Sequence, residues 1–137
     1  MMKIKRINHI AIVVDDFESA LTFWRDALGL EIQKVEEVPE QQVSIAFIPL
    51  GETEIELVKP TANDSGIYKY LQKHGPGMHH ICLEVEDIEA VLASLRAKHI
   101  RLVDEEPLIS KGGMKYAFIH PKSTHGVLVE LYEQPTI

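Results

Sequence analysis

Two stretches half a chain apart are copies of one pattern. Ile7-Asn8-His9-Ile10-Ala11-Ile12-Val13-Val14-Asp15-Asp16 matches Met78-His79-His80-Ile81-Cys82-Leu83-Glu84-Val85-Glu86-Asp87, so that His80 falls on His9, Val85 on Val14 and Asp87 on Asp16. The far ends match as well, Ile55-Glu56-Leu57-Val58-Lys59-Pro60 against Val129-Glu130-Leu131-Tyr132-Glu133-Gln134-Pro135. A repeat of this size is too long for a solenoid unit. In 137 residues, the length of one ordinary domain, it implies two copies of one module that share a fold.

The first copy reads β-α-β-β-β. Ile7 to Val14 is a β-branched run expected of a buried strand. Asp15 and Asp16 offer an N-cap, Glu18 suits the first helical turn, and Phe17, Ala20, Leu21, Trp24 and Leu28 recur at helical spacing before Gly29. Strands are expected over 31–38, 43–50 and 53–59, with Pro39 and Gly51 as breaks. The 61–76 connector holds one short helix, 67–73, between Ser65 as cap and Gly75 as stop. The second copy supplies a strand over 79–85, a helix capped by Asp87 with Ile88, Val91, Leu92 and Leu95 on one face, and strands over 101–104, 116–120 and 127–132. The fold class is therefore α+β, with module one over about 5–60 and module two over about 77–135 of a single domain, 1–137.

Composition narrows the function. A net charge of −7 argues against a nucleic-acid binder or an anionic-membrane binder, both of which need a basic face. Met1-Met2-Lys3-Ile4-Lys5-Arg6 leads into a strand rather than a signal peptide, and no segment approaches the ~18–20 apolar residues of a membrane span. Cys82 is the single cysteine, which leaves neither an intrachain disulfide nor a thiolate cluster, and its apolar strand makes it a core thiol rather than a nucleophile. The expected location is cytoplasmic.

Four polar residues occupy matched places in apolar runs, where burying one alone is costly: His9 and His80 on the first strands, Glu56 and Glu130 on the last. Singly, each histidine is better read as a satisfied core or strand-end residue, while for Glu56, which shares a face with Glu54, a solvated strand face and a functional role are equally good readings. As a set, two imidazoles and two carboxylates suit a borderline or hard divalent ion. An ion that prefers six ligands would keep two positions open. His79 points away from His80 and reads as packing or support. His74 and His99 lie at helix ends, and His120 and His125 flank a loop. Lys111-Gly112-Gly113 lacks P-loop spacing and reads as a turn.

With these residues in view, the chain resembles the vicinal-oxygen-chelate superfamily and, within it, the methylmalonyl-CoA epimerase family. The resemblance runs from Ile7 to about Glu133. It rests on Asn8-His9-Ile10-Ala11, Pro39-Glu40-Gln41, Gly77-Met78-His79-His80-Ile81-Cys82, Phe118-Ile119-His120-Pro121-Lys122 and Gly126-Val127-Leu128-Val129-Glu130-Leu131. It implies two tandem βαβββ modules forming a curved mixed sheet around a metal-binding cleft, with His9, Glu56, His80 and Glu130 as ligands. It further implies a divalent metal ion, cobalt first and Mn, Ni, Zn or Mg after it, a homodimer, and a CoA thioester inverted at C2 through a metal-stabilised enolate.

Inversion needs proton removal on one face and delivery on the other. Glu130 is the candidate for one group. The resemblance implies a second glutamate, which some members of the family carry on the strand after Pro-Glu-Gln, but Val43-Ser44-Ile45 offers no carboxylate here, which leaves Gln41, His120 or a bound water. CoA phosphates have Lys111, Lys115 and Lys122 as the nearest basic candidates, though each is better read as a solvated surface lysine. The rival readings are a glyoxalase I-type lyase acting on a glutathione hemithioacetal and a non-catalytic small-molecule binder of the same fold.

Overall fold

The structure is a computed structural model and describes residues 3–135; Met1 and Met2, with which the basic leading segment begins, lie outside it. Its elements in chain order are β1 (Ile4–Val13), α1 (Phe17–Leu21), β2 (Lys34–Val38), β3 (Val43–Leu50), β4 (Thr53–Pro60), α2 (Gly66–His74), β5 (Gly77–Val85), α3 (Ile88–Ala97), β6 (Leu108–Ile109), β7 (Lys115–Ile119) and β8 (Val129–Glu133). The class is α+β with a mixed sheet, since β5 runs parallel to β8 while the other pairs described are antiparallel.

The chain divides into two compact units, one of Ile10–His79 and one that joins the residues up to His9 with those from His80 onward. The division passes through β1, whose leading residues belong with the second sequence module rather than the first.

In the Ile10–His79 unit the strand order is β2-β3-β4-β1. The Asp16 carboxylate accepts from the Ser19 N–H at 3.1 Å and starts α1 as expected. The helix then widens into a π-helix over Thr22–Ala27, where the Leu28 N–H donates to the Phe23 carbonyl, five residues back. The wider turn slips the apolar stripe, so Leu28, expected on the core face, is 52% exposed. Leu21, Ala46, Ile48, Ile55 and Leu57 form the core beneath α1. Ser65 caps α2 through the Tyr68 N–H, and Gly75 closes it at φ 76°.

In the other unit the order is β1-β5-β8-β7-β6. Asp87 caps α3 by accepting from the Ala90 N–H at 3.1 Å. Ile88, Val91 and Leu92 then pack on Val85, Ala117, Ile119 and Leu131. Strand alternation leaves the opposite sheet face to His80, Cys82, Phe118 and Glu130. Leu92 is 1% exposed, and Leu92→Ala is expected to cost about 2–5 kcal/mol in denaturant unfolding. A loss below about 1 kcal/mol would show that this core collapses readily onto the space.

One expected strand is missing among the described residues. Residues 101–104 make only an isolated bridge, Leu102 with Ile119. The Asp104 carboxylate accepts the Phe118 N–H at 2.9 Å, taking a ladder donor away from the backbone. Pro107, without an N–H, delays pairing to β6.

Candidate metal centre

β1 delivers His9 and β5 delivers His80, each from the strand that begins its sequence repeat. β8 delivers Glu130, placed opposite Cys82 in the parallel ladder and opposite Phe118 in the antiparallel one. His9 is 7% and Glu130 9% exposed.

Their donor atoms converge. His9 Nε2 lies 3.2 Å from His80 Nε2 and 3.3 Å from Glu130 Oε1, and His80 Nε2 lies 3.0 Å from the same oxygen. Ligand atoms at about 2.1 Å from a common ion are separated by roughly 3.0 Å at right angles and roughly 3.4 Å at a tetrahedral angle. The triangle thus has the edges of one face of a coordination sphere. Two imidazole nitrogens and a carboxylate oxygen, all of them in buried or nearly buried side chains, fit a divalent ion. The rings of His9 and His80 meet edge to face with centroids 5.3 Å apart, and Phe118 stands edge-on to His80 at 5.4 Å, so packing restrains both imidazoles.

Electrostatics point the same way. Burial works to raise the Glu130 carboxyl, but hydrogen bonds to His80 and His9 and their charge outweigh it and hold it down at about 2. Glu130 therefore remains an anion across the physiological range.

Glu56 occupies the Ile10–His79 unit. It is buried at 9% exposure on β4, opposite Phe47 of β3. The structure brings three of the four expected ligands together in one unit and places the fourth in the other. Cys82 is fully buried, as expected of a core thiol. It is not remote, however, for its sulfur and the donor atoms of His9 and Glu130 all lie within 4.8 Å of one another.

His79 packs edge to face on Tyr70 at 4.7 Å, the packing role expected of it. His120 caps the short 3-10 turn over Pro121–Ser123, its Nδ1 accepting the Lys122 N–H at 3.0 Å. Burial, with Arg101 and Lys122 adding to it, lowers its pKa. Lys115 is engaged with Glu89 at 2.7 Å. Residues 110–114 form a plain turn closed by Gly113 donating to the Ser110 carbonyl.

Sequence reasoning missed two residues behind the triangle. Asn8 Oδ1 lies 2.8 Å from His9 Nδ1, and Asn8 Nδ2 donates to Glu84 Oε1 at 3.2 Å. Glu84 is 2% exposed. The signal was a carboxylate inside the apolar run Ile81-Cys82-Leu83-Glu84-Val85, the argument that singled out Glu130.

Residues 8–118 match the model of the Glyoxalase/Bleomycin resistance protein/Dioxygenase superfamily. The chain is 45% identical to the mitochondrial methylmalonyl-CoA epimerase of Mus musculus over 130 residues, covering 94% of this chain and 73% of that protein. It is 42% identical to the ethylmalonyl-CoA/methylmalonyl-CoA epimerase of Cereibacter sphaeroides, covering 93% and 97%. The chain belongs to the methylmalonyl-CoA epimerase family. Among solved structures, a Streptomyces coelicolor methylmalonyl-CoA epimerase variant in complex with 2-nitronate-propionyl-CoA superimposes at a TM-score of 0.87 with 34% identity, covering 98% of each chain. That agreement extends the epimerase-family assignment from sequence to the strand order that carries His9, His80 and Glu130.

Proposed function

We propose that the chain interconverts the two C2 epimers of methylmalonyl-CoA at a divalent metal held by His9, Glu56, His80 and Glu130. The observation that carries this reading is the 3.0–3.3 Å triangle of His9, His80 and Glu130 donor atoms in a chain of the epimerase family. Glu56 enters the ligand set from its matched position in the sequence repeat, supported by its burial. A donor set of two nitrogens and two carboxylates suits cobalt, with Mn, Ni, Zn and Mg as the other ions to test. Bound there, such an ion supplies a Lewis acid that withdraws charge from the thioester carbonyl as C2 loses its proton.

The residues have the remaining work. His9 and His80, held by ring packing, keep the donor face rigid. Glu130 places one oxygen in the triangle and is the proposed proton acceptor at C2. The second acid–base group is Gln41, His120 or an ordered water, since Ser44 occupies β3 where a carboxylate is absent. Burial, with Arg101 and Lys122 beside it, lowers the His120 pKa and so favours the form that can accept a proton.

Among the described residues no helix is long and apolar enough to cross a membrane. A cytoplasmic homodimer is part of the proposal, the single buried thiol being at home in a reducing compartment.

The test is cobalt-loaded protein mixed with a single epimer of methylmalonyl-CoA in D2O. The expected result is deuterium at C2 together with loss of optical purity. Turnover of the methylglyoxal–glutathione hemithioacetal without C2 exchange would sink the epimerase reading in favour of the lyase. Neither activity, with no cobalt retained, would leave only a binding protein.

A further inference from the structure

Behind His9 lies a chain of polar groups that calls for a hydrogen on its Nδ1. Glu84 sits on β5, nearly sealed from solvent, with Lys5 Nζ at 3.7 Å and Arg6 Nη1 at 3.9 Å, both less buried than the carboxylate they face. A carboxylate flanked by two cations accepts hydrogen bonds and donates none. The Asn8 group facing Glu84 at 3.2 Å must therefore be its NH2. That turns the Asn8 carbonyl oxygen toward His9 Nδ1, 2.8 Å away, and an oxygen without a proton demands one from its partner. His9 must carry a hydrogen on Nδ1, and in the neutral ring the lone pair then falls on Nε2, the atom in the donor triangle.

We propose that Glu84 and Asn8 are positioning residues that hold a hydrogen on His9 Nδ1, so that Nε2 is the nitrogen left to ligate a metal. The direction is encoded at Glu84 and transmitted by the orientation of one amide. The purpose assigned to this relay rests on the metal reading above, but the proton arrangement does not. Such outer hydrogen bonds typically change metal affinity by about 10- to 100-fold when removed.

The relay makes a reversal test available. Glu84→Gln replaces an obligate acceptor with a group that can present either an oxygen or an NH2. Asn8 can then turn over and donate to His9 Nδ1, which moves the His9 hydrogen to Nε2. Cobalt affinity is expected to fall about 10- to 100-fold. Asn8→Asp alone sets two carboxylates against each other and should also weaken binding. The double variant Asn8→Asp with Glu84→Gln restores the sense of the relay, because the new amide can donate to the new carboxylate, which accepts from His9. It should recover most of the lost affinity.

The readouts are cobalt titration and the nitrogen chemical shifts of His9 in chelator-treated full-length protein, with circular dichroism to confirm folding. Nδ1–H in the wild type, its loss in Glu84→Gln and its return in the double variant are the expected results. A wild-type His9 that carries its hydrogen on Nε2 overturns the proposal without any variant being made. So does a folded Glu84→Gln protein with unchanged tautomer and affinity, or a folded double variant no better than either single one. If wild-type protein fails to take up cobalt, the metal reading falls, while the metal-free shifts still decide the relay.

Discussion

Glu130→Gln is expected to slow C2 proton exchange by about 10²- to 10⁴-fold, the usual contribution of a positioned acid–base group. The substitution keeps an oxygen of the same reach, so the donor triangle persists with a neutral ligand and metal affinity falls less steeply than the rate. The measurement pairs deuterium uptake into methylmalonyl-CoA with cobalt titration of the same protein. Exchange and affinity that fall by the same factor would limit Glu130 to ligation and move the proton chemistry to another group. There is a physical reason to expect tension between the two roles. A carboxyl held at about 2 by His80 and His9 is a weak base in the metal-free protein. The acid–base role therefore requires that the histidines be otherwise engaged when substrate is present. Metal ligation through both Nε2 atoms would engage them.

The second large effect concerns His80. Its Nε2 is 3.0 Å from Glu130 Oε1, the shortest edge of the triangle. His80→Ala removes a ligand and also strips a buried carboxylate of the hydrogen bond that does most to hold its charge. Cobalt affinity should fall by more than the roughly 10- to 100-fold typical of outer-sphere losses. The metal-free protein should suffer as well, since removing one partner from a buried pair costs about 3–5 kcal/mol.

The pH dependence gives this prediction its sign. Glu130 titrates at about 2 in the folded chain against an ordinary value of 4.5. Between those values the unfolded chain binds more protons, so the Glu130 contribution is complete above about 4.5 and is lost as pH falls through about 2. In chelator, the wild type should therefore lose this contribution only in strong acid, whereas His80→Ala should already lack most of it at pH 7. Urea unfolding of both proteins across that range checks it. Parallel stability curves with no offset would mean that His80 contributes nothing to holding the Glu130 charge.

Much of this arrangement is legible in the sequence because it is written in local rules. Asp16, Ser65 and Asp87 each cap the helix that their position predicts, since a short side chain meeting an unpaired N–H needs no tertiary information. His9, His80 and Glu130 are legible because polar residues in apolar strands demand partners, and the repeat indicates which to seek. The helix after Asp16 is less legible: its apolar spacing suits an ordinary α-helix, and nothing in the pattern announces the π turn that exposes Leu28. The lost strand at 101–104 depends on a competition between the Asp104 side chain and a backbone carbonyl for one N–H, a contest decided by geometry. Asn8 and Glu84 are 76 positions apart, and only the folded chain makes them neighbours.

The path of β1 has a consequence for how such a molecule could have arisen. Its leading residues, up to His9, sit in the unit that contains His80 and Glu130, while the same strand from Ile10 onward serves the other. An ancestral half-length peptide, equivalent to either repeat alone, would have carried one of the matched histidines and one of the matched glutamates, but never both imidazoles of the triangle. The donor triangle could first exist only when a strand from one copy lay beside the core of another.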